Sequence, residues 1–137
     1  MGKNSFLIHT DGGSRGNPGP SAIGAVVGKK EYGESIGNTT NNIAEYKAVI
    51  FALKKAKQLL GGAKAAHTEI ELKTDSQLLV NQLNGEFKIK DGGLQPLFID
   101  IWNLKQDFKS VKFIHVTRDK NKNADRLVNK ALDTLGL

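Results

Sequence analysis

The sequence has no cysteine. Neither a disulfide framework nor a thiolate-bound metal can hold the fold, and a reducing compartment, the cytosol by default, is the expected setting. It also lacks the roughly 18 consecutive apolar residues of a membrane span. Near the N-terminus the one apolar run, Phe6-Leu7-Ile8, is too short for a signal-peptide core, so neither export nor membrane association is expected. None of the three histidines is paired with another at metal-ligand spacing, which argues against zinc. There is no repeat, low-complexity tract or linker. One domain over residues 1–137 is therefore expected, with nothing that calls for more than a monomer or for an obligate protein partner.

What is present is the composition of an ordinary globular protein, 39% hydrophobic and 25% charged over 137 residues. The formal net charge of +6 favours a polyanionic partner, with nucleic acid as the leading candidate and simple solubilisation by lysine as the alternative.

Residues 5–10 read as a strand that delivers Asp11 to its end, and the glycines after it (Gly12, Gly13, Gly16) are expected to release Asp11 from pleat geometry. Residues 22–27 and 32–36 read as two further strands of an antiparallel meander. Asn38-Thr39-Thr40-Asn41-Asn42 is rich in helix-capping residues, and a long amphipathic helix follows with Ile43, Tyr46, Val49, Ile50, Leu53, Ala56 and Leu60 on one face. Glu45 falls at the edge of that apolar stripe, where a carboxylate needs a partner. Gly61-Gly62 ends the helix and residues 63–67 read as a loop.

The alternation through Ile70 and Leu72 predicts a strand that ends in Thr74-Asp75-Ser76, repeating the pattern of Thr10-Asp11-Gly12. A short helix through Leu78, Leu79, Val80 and Leu83 follows, then an exposed connection over residues 86–93. Residues 94–108 read as a helix whose apolar set is Leu97, Phe98, Ile101, Trp102, Leu104 and Phe108. A last strand over 111–116, a polar loop over 118–123 and a closing helix complete the chain. That helix carries Ala124, Leu127, Val128, Ala131, Leu132 and Leu135 on one face and Asp125 in its first turn. The order β-β-β-α-β-α-α-β-α predicts a mixed α/β (α+β) fold with helices packed on the sheet. If the strands ending in Asp11 and Asp75 pair in parallel through the helical crossover, the two carboxylates lie close together.

Four acidic residues thus sit in unusual places: Asp11, Glu45, Asp75 and Asp125. Taken singly they can be a turn former, an edge charge, a helix cap and a first-turn dipole partner. Brought together they would repel, so a shared pocket makes sense only with cations in it, and all-oxygen donors suit magnesium or manganese. Two such ions about 4 Å apart can support phosphodiester hydrolysis.

Thr10-Asp11-Gly12-Gly13 with Gly16-Asn17-Pro18-Gly19, Thr39-Thr40-Asn41-Asn42-Ile43-Ala44-Glu45, Thr74-Asp75-Ser76-Gln77 and Asn123-Ala124-Asp125-Arg126-Leu127 together resemble type 1 ribonuclease H over nearly the whole chain. The resemblance implies the ribonuclease H-like fold, a five-stranded mixed sheet of antiparallel meander plus parallel strands, flanked by helices. It implies an endonuclease that cuts the RNA strand of an RNA–DNA hybrid, leaving 5′-phosphate and 3′-hydroxyl ends. Asp11, Glu45, Asp75 and Asp125 match the metal-binding carboxylates of the family, which use two Mg2+ ions with Mn2+ as substitute. Asp11 would bridge both ions, Glu45 and Asp75 would hold the water-activating one, and Asp125 the one near the leaving group. Asn17, Asn41 and Gln77 match positions that contact the hybrid's minor groove, Thr40 a position that holds a DNA phosphate, and Asn42 would support that surface. Gly12 and Gly13 would let backbone approach the nucleic acid, and Lys30 would assist at the phosphate.

Two departures from the family are visible. The basic, tryptophan-containing protrusion of many members is replaced by residues 86–93, with Lys88 and Lys90 as its cations, so binding should be strongly salt-dependent. In the loop before Asp125, where members carry a mobile histidine, Arg118 is the candidate for that role, and His115 is read as a structural residue of the last strand. Together these match a compact prokaryotic subgroup. The alternatives are a nuclease of the same fold with another duplex preference, including double-stranded RNA, and a non-catalytic hybrid-binding module.

Overall fold

The computed structural model describes residues 5–136. Ser5–Ser14 (β1), Gly19–Val27 (β2) and Lys30–Thr39 (β3) form an antiparallel meander. Glu69–Thr74 (β4) adds in parallel beside β1, and Ser110–His115 (β5) in parallel beside β4. The result is a five-stranded mixed sheet in the order β3-β2-β1-β4-β5, antiparallel where hairpins connect strands and parallel where helices cross over.

The helices start and stop where local chemistry dictates. Asn41–Leu60 (α1) opens on Thr40, whose Oγ1 accepts the Ile43 N–H at 3.2 Å, and ends at Gly61 with φ of 82°. Gly62–Ala65 (α2) is a single helical turn where a loop was expected; its alanines favour helix, and the Ala65 N–H closes on the Gly61 carbonyl at 2.8 Å. Gln77–Leu83 (α3) is capped by Ser76 Oγ, and Gln95–Lys105 (α4) carries Pro96 in its first turn. A 3-10 turn, Arg118–Lys120, leads into Lys122–Asp133 (α5).

The sheet is covered on both faces. Ile8 of β1 and Ile70 and Leu72 of β4 pack with Tyr46, Val49 and Leu53 of α1 and Ile101 of α4 in the main core. On the other face Ala22 of β2 packs with Val128, Ala131 and Leu132 of α5. Two residues expected on apolar faces are exposed instead: Trp102 at 54%, on the outer helix α4, and Leu135 at 49%, beyond the end of α5. In the core the Tyr46 hydroxyl donates to Gln82 Oε1 at 2.7 Å and ties α1 to α3.

The glycines after Asp11 do not release it from the pleat. β1 runs through Asp11, Gly12 and Gly13 to Ser14, with Asp11 paired opposite Gly24 of β2. What the glycines permit is close helix approach: a Cβ on Gly12 would lie 2.4 Å from the Ala44 carbonyl of α1, and one on Gly24 would lie 2.2 Å from the Ala124 carbonyl of α5. Ala44 precedes Glu45 and Ala124 precedes Asp125. The first approach sets Glu45 against β1, which carries Asp11, and the second sets Asp125 against β2 at Gly24, the residue paired with Asp11.

Candidate active site

Four segments position the acidic residues. Asp11 projects from β1, Glu45 from α1, Asp75 lies one residue past the end of β4, and Asp125 sits in the first turn of α5. β1 and β4 are in parallel register up to His9 and Lys73, so Asp11 and Asp75 each stand two residues past the last paired position. Single carboxylate oxygens of Asp11, Glu45 and Asp75 lie within 4.8 Å of one another. Asp125 completes the group by a side-chain hydrogen bond to Asp11. All four line a cleft of about 410 Å³.

The electrostatics follow from this crowding. The Asp11 carboxyl is pushed up to about 8, first by burial, then by the charges of Asp75 and Asp125, the hydrogen bond to Asp125 and the charge of Glu45. Glu45 is raised to about 7 by burial and by Asp75, against the opposing hydrogen bond from the Ser76 hydroxyl. Without a counter-cation the cluster retains protons that isolated carboxyls would lose. The donor set is oxygen only and hard, which fits magnesium or manganese and not zinc.

Gly12, Gly13, Asn41, Asn42 and Arg118 line the same cleft. Asn17 Oδ1 accepts the Asn41 N–H at 3.1 Å and Asn41 Oδ1 accepts the Ser14 N–H at 2.8 Å, which locks the β1–β2 turn to the start of α1. Both carbonyl oxygens are thereby committed, and the amide nitrogens are the groups these side chains present. Thr40 is the cap of α1.

Other candidates lie outside the cleft lining. Gln77 is exposed and gives its Nε2 to Asn81 at 3.0 Å. Lys30 starts β3 at the β2–β3 turn, paired with Val27, and does not line the cleft. Lys88 and Lys90 are exposed on the connection between α3 and α4. His115, expected on a half-buried strand, is exposed at the last position of β5, while Arg118 reaches the cleft wall.

Sequence reasoning missed three contributors. Ser76 was legible as a helix cap but not as a donor to Glu45. Arg15 lines the cleft and pairs with Asp133 at 2.7 Å, across 118 residues of sequence. Asn121, read only as part of a polar loop, is buried beside β1. The last two are tertiary contacts with no local signal.

This sheet order, with carboxylates from β1, α1, the end of β4 and α5 meeting above the fork between β1 and β4, defines a ribonuclease H-like domain. Residues 9–131 match the family described as Reverse transcriptase-like. The chain is 32% identical over 149 residues to a ribonuclease H of Clostridium botulinum, an alignment covering 93% of this chain and 95% of that protein. It therefore belongs to the type 1 ribonuclease H family. The crystal structure of LC11-RNase H1 in complex with an RNA/DNA hybrid superposes with a TM-score of 0.90 at 40% identity, over 96% of this chain and 99% of that one. A bifunctional protein of Mycobacterium tuberculosis is 40% identical over 134 residues, and the chain spans 35% of that relative's length.

Proposed function

We propose that this chain is a metal-dependent endoribonuclease that hydrolyses the RNA strand of RNA–DNA hybrids, leaving 5′-phosphate and 3′-hydroxyl ends. The observation that carries the reading is the convergence of the Asp11, Glu45 and Asp75 carboxylates within 4.8 Å, with Asp125 hydrogen-bonded to Asp11, in an open cleft. A non-catalytic binder has no use for a cluster that is electrostatically unfavourable by itself. Asp11, Glu45 and Asp75 would hold one magnesium ion, and Asp11 with Asp125 a second, manganese substituting. Such ions supply Lewis acidity toward the phosphate and a water nucleophile at neutral pH.

The rest of the work falls to the chain. Three of the carboxylates are set on a strand and two helices, and Asp75 on the two-residue junction between β4 and α3, so the negative cage is held by regular elements and one tight connection. Asn17 and Asn41 turn amide N–H groups outward, suited to the 2′-hydroxyls and acceptors of a hybrid's minor groove. The Thr40 hydroxyl and the exposed Asn42 extend that edge toward a backbone phosphate. Arg118, in the cleft lining, would meet the backbone of the scissile strand, and Lys88 and Lys90 would add a diffuse, sequence-independent attraction. The hybrid held by LC11-RNase H1, which shares this fold at 40% identity, supports the choice of substrate.

The test is incubation of the purified protein with labelled RNA–DNA hybrid, double-stranded RNA and double-stranded DNA in magnesium, manganese or chelator, alongside Asp11→Asn. Cleavage of the hybrid's RNA strand only, lost in chelator and in the variant, is expected. Hybrid cleavage that survives either change refutes the metal mechanism, and equal cutting of all duplexes refutes hybrid specificity.

A further inference from the structure

The ladder between β1 and β4 stops at His9 and Lys73, while β1 continues to Ser14 against β2 alone. Past that fork one side of β1 has no strand partner. Thr10 is the first residue beyond it, and its carbonyl accepts a hydrogen bond from Asn121 Nδ2 at 2.9 Å. Asn121 is 1% exposed and 111 residues away in sequence. Its own backbone carbonyl accepts the N–H of Asp125 at 3.2 Å. Two hydrogen bonds through one residue, one from its side chain and one to its backbone carbonyl, thus join the peptide carbonyl just before Asp11 to the amide of Asp125.

We propose that Asn121 is a positioning residue, standing in for the missing strand at the fork and fixing the placement of Asp125 against Asp11. The proposal rests on the reading of this cluster as a metal site. Helix capping does not account for the residue: Asn121 stands at the cap position of α5, yet its side chain makes no cap hydrogen bond and donates to β1 instead. Of the buried amide only the Nδ2 end makes a protein hydrogen bond, the one to Thr10, while Asn121 Oδ1 and the neighbouring Thr10 Oγ1 make none. What the amide achieves is geometric. It pins the start of α5 onto β1 one residue before Asp11, and the close approach of Ala124 to Gly24 sets the same helix against the neighbouring strand.

The test uses Asn121→Ser, which keeps a helix-capping residue but is too short to reach Thr10, and Asn121→Asp, which keeps the shape but loses the N–H donor. Phe108→Leu, in the core and away from the cleft, is the control for general destabilisation. Mn2+ binding to the metal-free proteins is measured by calorimetry, and hybrid cleavage is measured against Mg2+ concentration.

Both Asn121 variants are expected to need roughly tenfold more ion, the usual effect of losing a group that orients a metal ligand. Their kcat should fall while KM for the hybrid stays near the wild-type value, and Phe108→Leu should keep the wild-type ion requirement even if its Tm is lower. Ion affinity within about twofold of wild type in both folded variants overturns the proposal. In the wild type the Asn121 side-chain amide protons should exchange slowly by NMR; exchange at the rate of a free amide overturns it without any variant. A wild-type protein that neither binds Mn2+ nor cuts hybrid overturns the metal-site reading instead, and is recognised because the failure precedes any substitution.

Discussion

Asp11→Asn should make the metal-free protein more stable at alkaline pH while removing its response to divalent ions. Two unit charges 4.8 Å apart repel by about 3 kcal/mol at an effective dielectric constant near 20. Asp11 is largely buried and also faces this repulsion from several partners, which is why its carboxyl is pushed up to about 8; burial likewise leads in raising Glu45 to about 7. Carboxyls that hold protons more tightly folded than unfolded contribute stability that is fully present below the unfolded pKa near 4. That contribution is lost as pH rises through about 7 for Glu45 and about 8 for Asp11.

The wild type in chelator should therefore lose stability between pH 5 and pH 9, whereas an amide at position 11 carries no charge to lose. Allowing for the buried amide's own unmet hydrogen bonds, a gain on the order of 2 kcal/mol is expected at pH 9, or roughly 6–10 °C in Tm, shrinking toward zero at pH 5. Thermal unfolding followed by circular dichroism, in chelator and then in 10 mM Mg2+, reads both effects. A variant that is neutral or less stable than wild type at pH 9 in chelator would refute the claim that the cluster is strained by its own charge.

Three further outcomes follow from particular contacts. Gly12→Ala forces a methyl to within 2.4 Å of the Ala44 backbone, so α1 must retreat; a loss of about 1–3 kcal/mol by urea titration and a weakened Tm response to Mg2+ are expected together. Tyr46→Phe strands Gln82 Oε1 in the core and should lower stability by about 1–3 kcal/mol in the same titration, and an unchanged midpoint would mean the 2.7 Å bond contributes nothing. Asn41→Ala should reduce discrimination between hybrid and DNA duplex by about tenfold in competition cleavage, whereas Lys88→Ala should weaken binding uniformly and lower the salt slope by about one; identical behaviour of the two variants would show that Asn41 touches only phosphate.

Much of this architecture was written in local pattern. The period-two alternation at Ile70 and Leu72 and the three- and four-residue spacing from Ile43 to Leu60 each specify one buried face, and those elements appear where the pattern puts them. The acidic cluster was legible because Thr10-Asp11-Gly12 and Thr74-Asp75-Ser76 repeat one Thr-Asp-small pattern, and parallel pairing of their strands brings Asp11 and Asp75 level. Glycine was harder to read. A Gly-Gly pair has the same local signature whether it makes a turn or lets a helix lie close, and only the packed structure shows Gly12 against α1 and Gly24 against α5. Arg15 with Asp133 and Asn121 with Thr10 are joined across more than a hundred residues, and nothing local announces such pairs.

The proposed activity depends on Asp11, Glu45, Asp75 and Asp125 forming a divalent-ion site. Anomalous scattering from crystals soaked in Mn2+ tests it most directly. A peak coordinated by the Asp11, Glu45 and Asp75 carboxylates is predicted, absent from Asp11→Asn crystals soaked identically. Manganese bound only elsewhere, in a protein that still cleaves hybrid with manganese present, would contradict it.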